Sequence, residues 1–486
     1  MKTCIYNSEE CAVLSKDTLY HLSVDRSLER LCPDLFRREA LWKALSTLSR
    51  SPEEIKLRQG ILQELLQAPA LLSKLSPLLE RFCLLRDTHE QERRELMRGG
   101  SSHSVANAKQ LLESTALTLK RSLLFVQAIG DVLEQENVRS HGLQALWKRI
   151  RAITEPSEFA ELLRLCTSLE SFSERGFADQ RITLNREGKI AAVELVAHGD
   201  LQITDPAWSP KKRRFRKREV ETAVHPCVEL TPFARPGLWE ELLIAPRKDL
   251  AKLLSGYARV LFEEFCPLKE ALAFYEAAVA FCHRLEEQGI PYCFPAICDD
   301  ATSFAELRDL YLVSRAEDLS AVIPYDLSTA SKTQIAVFGA NGSGKTVFLR
   351  ALGTAQILFQ AGLPVPARSA VMTVCSGIFS QFSEAEKSLT DADKAGRFEQ
   401  EARELATMLE AVEAGALVLL NETFQTTAYG EGARGLLPIL QYFSHREIRY
   451  LLVSHLLDLR APLLSRGVTL LQTSEGYSLV PLSTIP

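Results

Sequence analysis

The stretch that most constrains this chain is Gly339-Ala340-Asn341-Gly342-Ser343-Gly344-Lys345-Thr346, which satisfies the pattern G-x-x-x-x-G-K-[ST] at every fixed position. Its flanks are those such a loop needs. Ile335-Ala336-Val337-Phe338 is a short apolar run of strand type ending at Gly339. Val347-Phe348-Leu349-Arg350-Ala351-Leu352 opens a helical pattern that continues to Ala361-Gly362, where the glycine suits a C-cap. A strand, a glycine loop and a helix in this order form a cradle for a polyphosphate. The glycines let the backbone turn its N–H groups inward. The helix N-terminus adds partial positive charge. On this reading Lys345 reaches the outer phosphates and the Thr346 hydroxyl ligates Mg²⁺. The bland alternative is a glycine-rich turn that matches by accident.

Two more apolar strands end in polar residues. Ala416-Leu417-Val418-Leu419-Leu420 is followed by Asn421-Glu422, and Ile448-Arg449-Tyr450-Leu451-Leu452-Val453 by Ser454-His455. Ligands of an open parallel sheet sit beyond the carboxyl ends of its strands. The loop, Glu422 and His455 are therefore expected to converge on one edge. In nucleotide hydrolases of this design the apolar strand ends in Asp-Glu, the Asp holding the metal shell and the Glu orienting or deprotonating water. Asn421 stands in the first of those places and brings no charge. Glu422 is the candidate general base, against a solvent-facing carboxylate as the bland reading. His455 is the candidate γ-phosphate sensor, against a structural histidine. Gly396-Arg397-Phe398-Glu399-Gln400-Glu401 is expected to open a helix, with Gly396 exposing N–H groups to an anion. An ordinary amphipathic helix is the alternative.

The region upstream is helical in pattern. Ser51-Pro52-Glu53-Glu54 is a start signal. Arg98-Gly99-Gly100-Ser101-Ser102 reads as a joint, and helix is expected from about Val105 to Arg151 and from Pro156 to Ser173. Arg181 to Leu195 alternates around Glu187-Gly188 and predicts a β-hairpin. The densest basic run follows: Lys211, Lys212, Arg213, Arg214, Phe215, Arg216, Lys217 and Arg218. It is either a solvated loop or a phosphate-contacting tip, with a nuclear address as a third reading. A long helical pattern from Arg247 to about Gln288 is expected to kink at Pro267. From about Ala305 strands and helices alternate.

Composition narrows the class. The chain of 486 residues is 46% hydrophobic and 24% charged, enough for several domains with cores of their own. A net charge of −5 leaves any nucleic-acid surface local rather than global. No run reaches the ~20 apolar residues of a membrane span, and Met1 to Glu10 lacks an apolar leader core. The 11 cysteines are scattered without metal-ligand spacing, as expected for reduced thiols in the cytoplasm.

With these pieces in this order, the chain resembles the ATPase end of the DNA mismatch-repair MutS family, within the wider ABC-type ATPases. Pro324-Tyr325-Asp326 resembles the family's Pro-Asn-Asp-like element and Gly362 to Ala367 its segment after the first helix. Ser376-Gly377-Ile378-Phe379-Ser380 is similar to its IFTR stretch. Gly396 corresponds to the signature glycine, Leu420-Asn421-Glu422 to the Asp-Glu strand and Val453-Ser454-His455 to the ATH segment. The resemblance covers about 320 to 460. It is weaker at Leu22 to Leu28 and at Ile55 to Gln59, which resemble the start of the family's helical core. Phe398-Glu399 stands where the family has Ser-Thr.

The resemblance implies an α/β P-loop NTPase domain of ABC type at 303–486. Before it would come a mostly helical core and lever with a small β clamp-like insertion: core at 1–120, lever and clamp at 121–246, and a returning helix at 247–302. It implies ATP and Mg²⁺ as cofactors, Thr346 and Asn421 at the metal, and Lys345, Glu422 and His455 in catalysis. It further implies a homodimer in which Gly396 of one copy faces the nucleotide of the other. By order along the chain the basic run falls at or near the clamp, where such proteins touch DNA backbone. The mismatch-reading and connector domains and the C-terminal helix-turn-helix module are expected to be missing, so binding to DNA structures or backbone is expected rather than mismatch reading. Two other readings stay open: a nucleotide-gated scaffold with little hydrolysis, and an ABC-type ATPase acting on RNA, ribosomes or protein.

Overall fold

The computed structural model describes residues 11–32, 34–98, 105–175, 180–184, 190–195, 238–298, 305–310, 323–328, 334–383, 391–424, 429–474 and 478–482. The basic run at 211–218 lies outside them. Two compact units divide the chain. One comprises Met1–Ser73, Glu136–Leu146 and Glu270–Pro486, and the other Lys74–Gln135 and Trp147–Lys269.

The N-terminal elements are β1 (Cys11–Val13), α1 (Lys16–His21), α2 (Val24–Leu31), α3 (Leu35–Ser46), β2 (Thr47–Ser49), α4 (Pro52–Gln67) and α5 (Pro69–Arg98). Then come α6 (Val105–Gln135), α7 (His141–Thr154), α8 (Ser157–Arg175), β3 (Gln180–Leu184), β4 (Ile190–Leu195), α9 (Leu238–Phe265) and α10 (Pro267–Glu287). The strands β5 (Ala296–Ile297), β6 (Ala305–Leu310), β7 (Tyr325–Ser328) and β8 (Gln334–Phe338) lead to α11 (Lys345–Gln360). The chain continues through β9 (Ser369–Met372), β10 (Ile378–Phe382), α12 (Asp391–Ala411), β11 (Leu417–Asn421), α13 (Tyr429–His445) and β12 (Arg449–Ser454). It closes with α14 (Arg460–Ser465), β13 (Thr469–Thr473) and β14 (Leu479–Pro481).

The helical unit is built on long apolar stripes. Helix α6 packs on both α8 and α9. Phe82 of α5 sits among rings, its centroid 5.1 Å from Phe262, 6.0 Å from Phe125 and 6.1 Å from Phe265. A Cβ on Gly130 of α6 would stand 2.8 Å from Ile150 of α7, so the glycine permits a closer helix contact than alanine would. Strands β3 and β4 pair antiparallel, Arg181 opposite Glu194, as the alternation predicts. The break near Pro267 is also found. The Cys266 N–H closes α9 on the Phe262 carbonyl at 3.0 Å, and Pro267 starts α10, where its missing N–H costs nothing.

The helix expected to run unbroken from Val105 to Arg151 is instead two. Asn137 adopts φ 48°, a left-handed value that asparagine tolerates, and the chain turns there. The Glu64 carboxylate then accepts the Ser140 N–H at 2.7 Å, just ahead of α7. Ser51 caps α4 as predicted, its hydroxyl accepting the Glu54 N–H at 3.2 Å.

In the other unit a six-stranded sheet has the order β10-β11-β12-β8-β13-β14, parallel as far as β13, with β14 antiparallel. Both faces are covered, so its strands read as continuous apolar runs rather than alternating ones. Val418, Leu420, Tyr450, Leu452, Ala336 and Phe338 join one core with Leu405, Met408, Leu436, Leu440 and Phe443 from α12 and α13. On α11, a Cβ at Gly353 would lie 2.7 Å from Leu419 of the sheet and 2.6 Å from Leu22, which follows α1. This helix is thus pressed between the sheet and the N-terminal segment. Arg350 donates to the His21 carbonyl at 2.8 Å, Gln360 to that of Ser49 at 2.9 Å, and Arg58 to that of Ala361 at 3.2 Å. Gly362 follows with φ 81°, its N–H on the Phe359 carbonyl at 2.9 Å, the expected helix stop. A second sheet has the order β5-β9-β6-β7. Burying each large apolar side chain contributes about 1.5–3 kcal/mol. That burial fixes the register of the strand bodies and presents their polar carboxyl ends at one edge.

Candidate active site

The loop after β8 is shaped by three glycines in different ways. Gly342 and Gly344 take φ of 75° and 86°, left-handed values that side chains resist. Gly339 gives room: a Cβ there would stand 1.9 Å from Thr473 Oγ1. The Thr473 hydroxyl, at the end of β13, donates to Ser343 Oγ at 2.7 Å and steadies the far side of the loop. Tyr325 of β7 donates its hydroxyl to the Gly344 carbonyl at 3.2 Å, with its ring 5.3 Å from Phe348. Ala340, Asn341 and Gly342 form the exposed crest.

Lys345 opens α11 and is only 4% exposed. Its Nζ folds back to donate to the carbonyls of Gly339 at 3.0 Å and Ala340 at 2.7 Å. Burial pulls its pKa below the ordinary lysine value, and the nearby Glu422 charge works against that pull. A desolvated ammonium held only by neutral carbonyls is a ready partner for an anion.

Thr346 donates to Asn421 Oδ1 at 2.9 Å. Asn421 ends β11 and is buried. Glu422 follows with φ 57°, its N–H on the Val453 carbonyl of β12 at 2.9 Å. Its Oε1 meets His455 Nε2 at 2.8 Å. His455 comes directly after β12, where Ser454 Oγ accepts the Leu456 N–H at 3.0 Å. Because β12 lies between β11 and β8, Lys345, Thr346, Asn421, Glu422 and His455 gather at one edge of the sheet. This is the convergence expected from the strand ends.

Gly396 is placed differently from the expectation. Helix α12 starts at Asp391, so Gly396 is its sixth residue and does not open it. A single internal glycine costs only about 1 kcal/mol, too little to delay the start. Two contacting residues carry no motif of their own: Thr473, and Glu401, whose carboxylate accepts the Phe424 N–H just beyond Glu422 at 2.8 Å. Their roles follow from strand order, which no local pattern reveals.

The residues present fit a magnesium-bound nucleoside triphosphate. The loop offers backbone N–H groups and a buried ammonium. Thr346 and Asn421 offer two neutral oxygens, suited to a metal whose charge the phosphates already balance.

The family model for MutS domain V matches residues 335–467, which hold the loop and the strand ends carrying Asn421, Glu422 and His455. That region is a domain of ATPase type. The DNA mismatch repair protein MutS of Synechococcus elongatus is 26% identical over 473 residues, covering 90% of this chain and 51% of that protein. The Endonuclease MutS2 of Streptococcus sanguinis is 34% identical over 130 residues, 26% of this chain and 16% of that protein. The Endonuclease MutS2 of Gemmatimonas aurantiaca is 25% identical over 295 residues, 57% of this chain and 35% of that protein. Through residues 335–467 the chain matches a MutS-family domain, and over most of its length it is similar to MutS proteins. It spans about half or less of the length of these relatives. Among the described residues, no helix is long and apolar enough to cross a membrane.

Proposed function

We propose that the chain binds and hydrolyses ATP with Mg²⁺ through a P-loop domain of ABC type, and couples this to DNA. The observation that carries the proposal is the gathering of Lys345, Thr346, Asn421, Glu422 and His455 at three strand ends, with Thr346 bonded to Asn421 and Glu422 to His455. Lys345 and the N–H groups of 339–346 bind phosphate oxygens, and Thr346 with Asn421 holds the metal shell. Glu422 takes the proton of the attacking water at its carboxylate, and His455 orients that carboxylate through Nε2. A magnesium ion held there would offset the negative charge of the phosphates.

The family resemblance supports a homodimer with nucleotide sites shared between copies, the helical region serving as core and lever. The relatives' names, mismatch repair protein and endonuclease, favour DNA as the partner. The basic run at 211–218 is the contact proposed for its backbone.

Asn421 favours a second reading, a nucleotide-gated switch with slow turnover, because the metal shell lacks a carboxylate there. One experiment separates the two: steady-state ATPase rate with no DNA and with duplex, branched and single-stranded DNA, for wild type, Lys345→Ala and Glu422→Gln. The ATPase reading expects a wild-type rate raised by DNA. Lys345→Ala should lose nucleotide binding, and Glu422→Gln should bind but turn over about 10²–10⁴-fold more slowly. Equal, barely measurable rates for wild type and Glu422→Gln would leave the switch. Nucleotide binding unaffected by Lys345→Ala would overturn both.

A further inference from the structure

The turn that carries Glu422 is built against backbone preference. Glu422 and Phe424 both adopt left-handed backbone, at φ 57° and 61°. Each non-glycine residue there costs about 1–2 kcal/mol. Such geometry persists only where the surroundings over-determine it. Here they do, on every residue of the turn. The Glu422 N–H is held by the Val453 carbonyl at 2.9 Å. The Thr423 hydroxyl donates to Gln381 Oε1 at 2.5 Å. The Phe424 N–H donates to Glu401 Oε2 at 2.8 Å, and the Phe424 ring lies 4.9 Å from that of Phe398.

Glu401 differs from the other supports. It comes from the middle of α12, its residue is 6% exposed, and its other oxygen accepts the Ser383 hydroxyl at 2.5 Å, just past β10. One buried carboxylate thus ties the helix, the end of a neighbouring strand and the turn after β11.

We propose that Glu401 is a positioning residue, which holds the Glu422–Phe424 turn through the Phe424 amide and so sets where the Glu422 carboxylate stands relative to Lys345 and Thr346. It acts through the turn rather than on the reacting groups. Through it, a displacement of α12 is passed to Glu422, so contacts made on α12 control turnover at a site they do not reach. The catalytic part of this inference rests on the ATPase reading above, whereas the geometric part stands on the hydrogen bonds alone.

The test uses the full chain with Glu401→Ala, Glu401→Asp and Glu401→Gln. Glutamine keeps an oxygen for the Phe424 amide and can donate to Ser383, so the turn survives. Aspartate keeps the charge and the fold but is one methylene short of spanning both partners. Displacing a base by about 1 Å costs up to about 100-fold in rate. With magnesium-ATP, Glu401→Ala and Glu401→Asp should lower kcat about 10- to 100-fold with KM within about twofold, while Glu401→Gln stays within about threefold of wild type. A KM that rises with kcat unchanged overturns the proposal. The second readout needs no turnover: amide exchange at Phe424 in the nucleotide-free protein. It should quicken at least tenfold in Glu401→Asp and Glu401→Ala and hold in Glu401→Gln. Unchanged exchange in Glu401→Asp overturns the proposal even if Glu401→Ala fails to fold. A wild type that hydrolyses nothing overturns the ATPase reading, and the exchange measurement still decides the role of Glu401.

Discussion

The turn after β8 takes its positive φ angles at glycines, Gly342 and Gly344, whereas the turn after β11 takes them at Glu422 and Phe424. Both turns leave the same parallel sheet at the same edge. Their residue choices differ because their products differ. The first turn presents backbone N–H groups, so its residues need no side chains and glycine adopts the left-handed region at little cost. The second must present a carboxylate, so its residue cannot be glycine, and the strain is offset by bonds from β12, β10 and α12. A turn of the first kind is specified locally. One of the second kind needs a folded surround, and its geometry is therefore open to influence from elsewhere in the unit.

The largest effect that would sharpen this contrast is at Glu422. Glu422→Gly removes both the carboxylate and the strain, and Glu422→Ala removes only the carboxylate. Both should lower hydrolysis about 10²–10⁴-fold. In thermal or denaturant unfolding, however, the glycine variant should be the more stable of the two by about 1 kcal/mol, the reverse of their order in ordinary backbone. Equal stabilities would mean that the turn is not strained, and the contrast would be lost. Next in size is Gly339→Ala. A Cβ there would meet Thr473 Oγ1 at 1.9 Å and Ser343 Oγ at 3.0 Å, so the loop or the end of β13 must move. An overpacked site of this kind costs about 1–3 kcal/mol, or about tenfold or more in nucleotide affinity measured with a fluorescent analogue. Wild-type affinity would show that the loop tolerates displacement and is not the rigid partner of the pair.

The same contrast explains what the sequence makes legible. The loop at 339–346 is readable because its backbone geometry demands glycines at fixed spacing. Asn421, Glu422 and His455 are readable because fully buried parallel strands leave apolar runs that end abruptly. The cap at Ser51 and the break at Pro267 follow from local chemistry as well. The supports that either turn takes from neighbouring elements are not readable. Gln381 and Ser383 matter because β10 lies beside β11, and Thr473 because β13 lies beside β8, adjacencies that are decided by packing of the whole sheet. Glu401 looks like one more acid on an amphipathic helix. The start of α12 at Asp391 rather than at Gly396 is a case where an expected glycine signal yielded to ordinary helix propagation.

The smallest effect concerns what stands behind β10. His21, at the end of α1, places Nδ1 2.9 Å from Ser380 Oγ, and its ring stacks on Phe382 at 4.9 Å. Those residues flank Gln381 and precede Ser383, two supports of the Glu422 turn. Burial lowers the His21 pKa below 6.5; the charges of Asp17 and Glu404 and the Ser380 bond raise it, and Arg350 lowers it further. The folded protein therefore prefers neutral His21, while the unfolded chain binds a proton there at ordinary histidine values. The stabilisation is present above the unfolded pKa and is lost as pH falls from about 6.5 through the folded pKa. Acidification should loosen β10, and with it the turn after β11, while the glycine loop after β8 is unaffected. Melting curves between neutral and mildly acidic pH should fall more steeply for wild type than for His21→Asn, which keeps a polar partner for Ser380 without titrating. Corrected for the intrinsic pH factor, amide exchange at Phe424 should quicken over the same interval, and exchange at Ser343 should not change. Parallel melting curves for the two proteins, or equal changes at both amides, would show that the two turns share one source of stability after all.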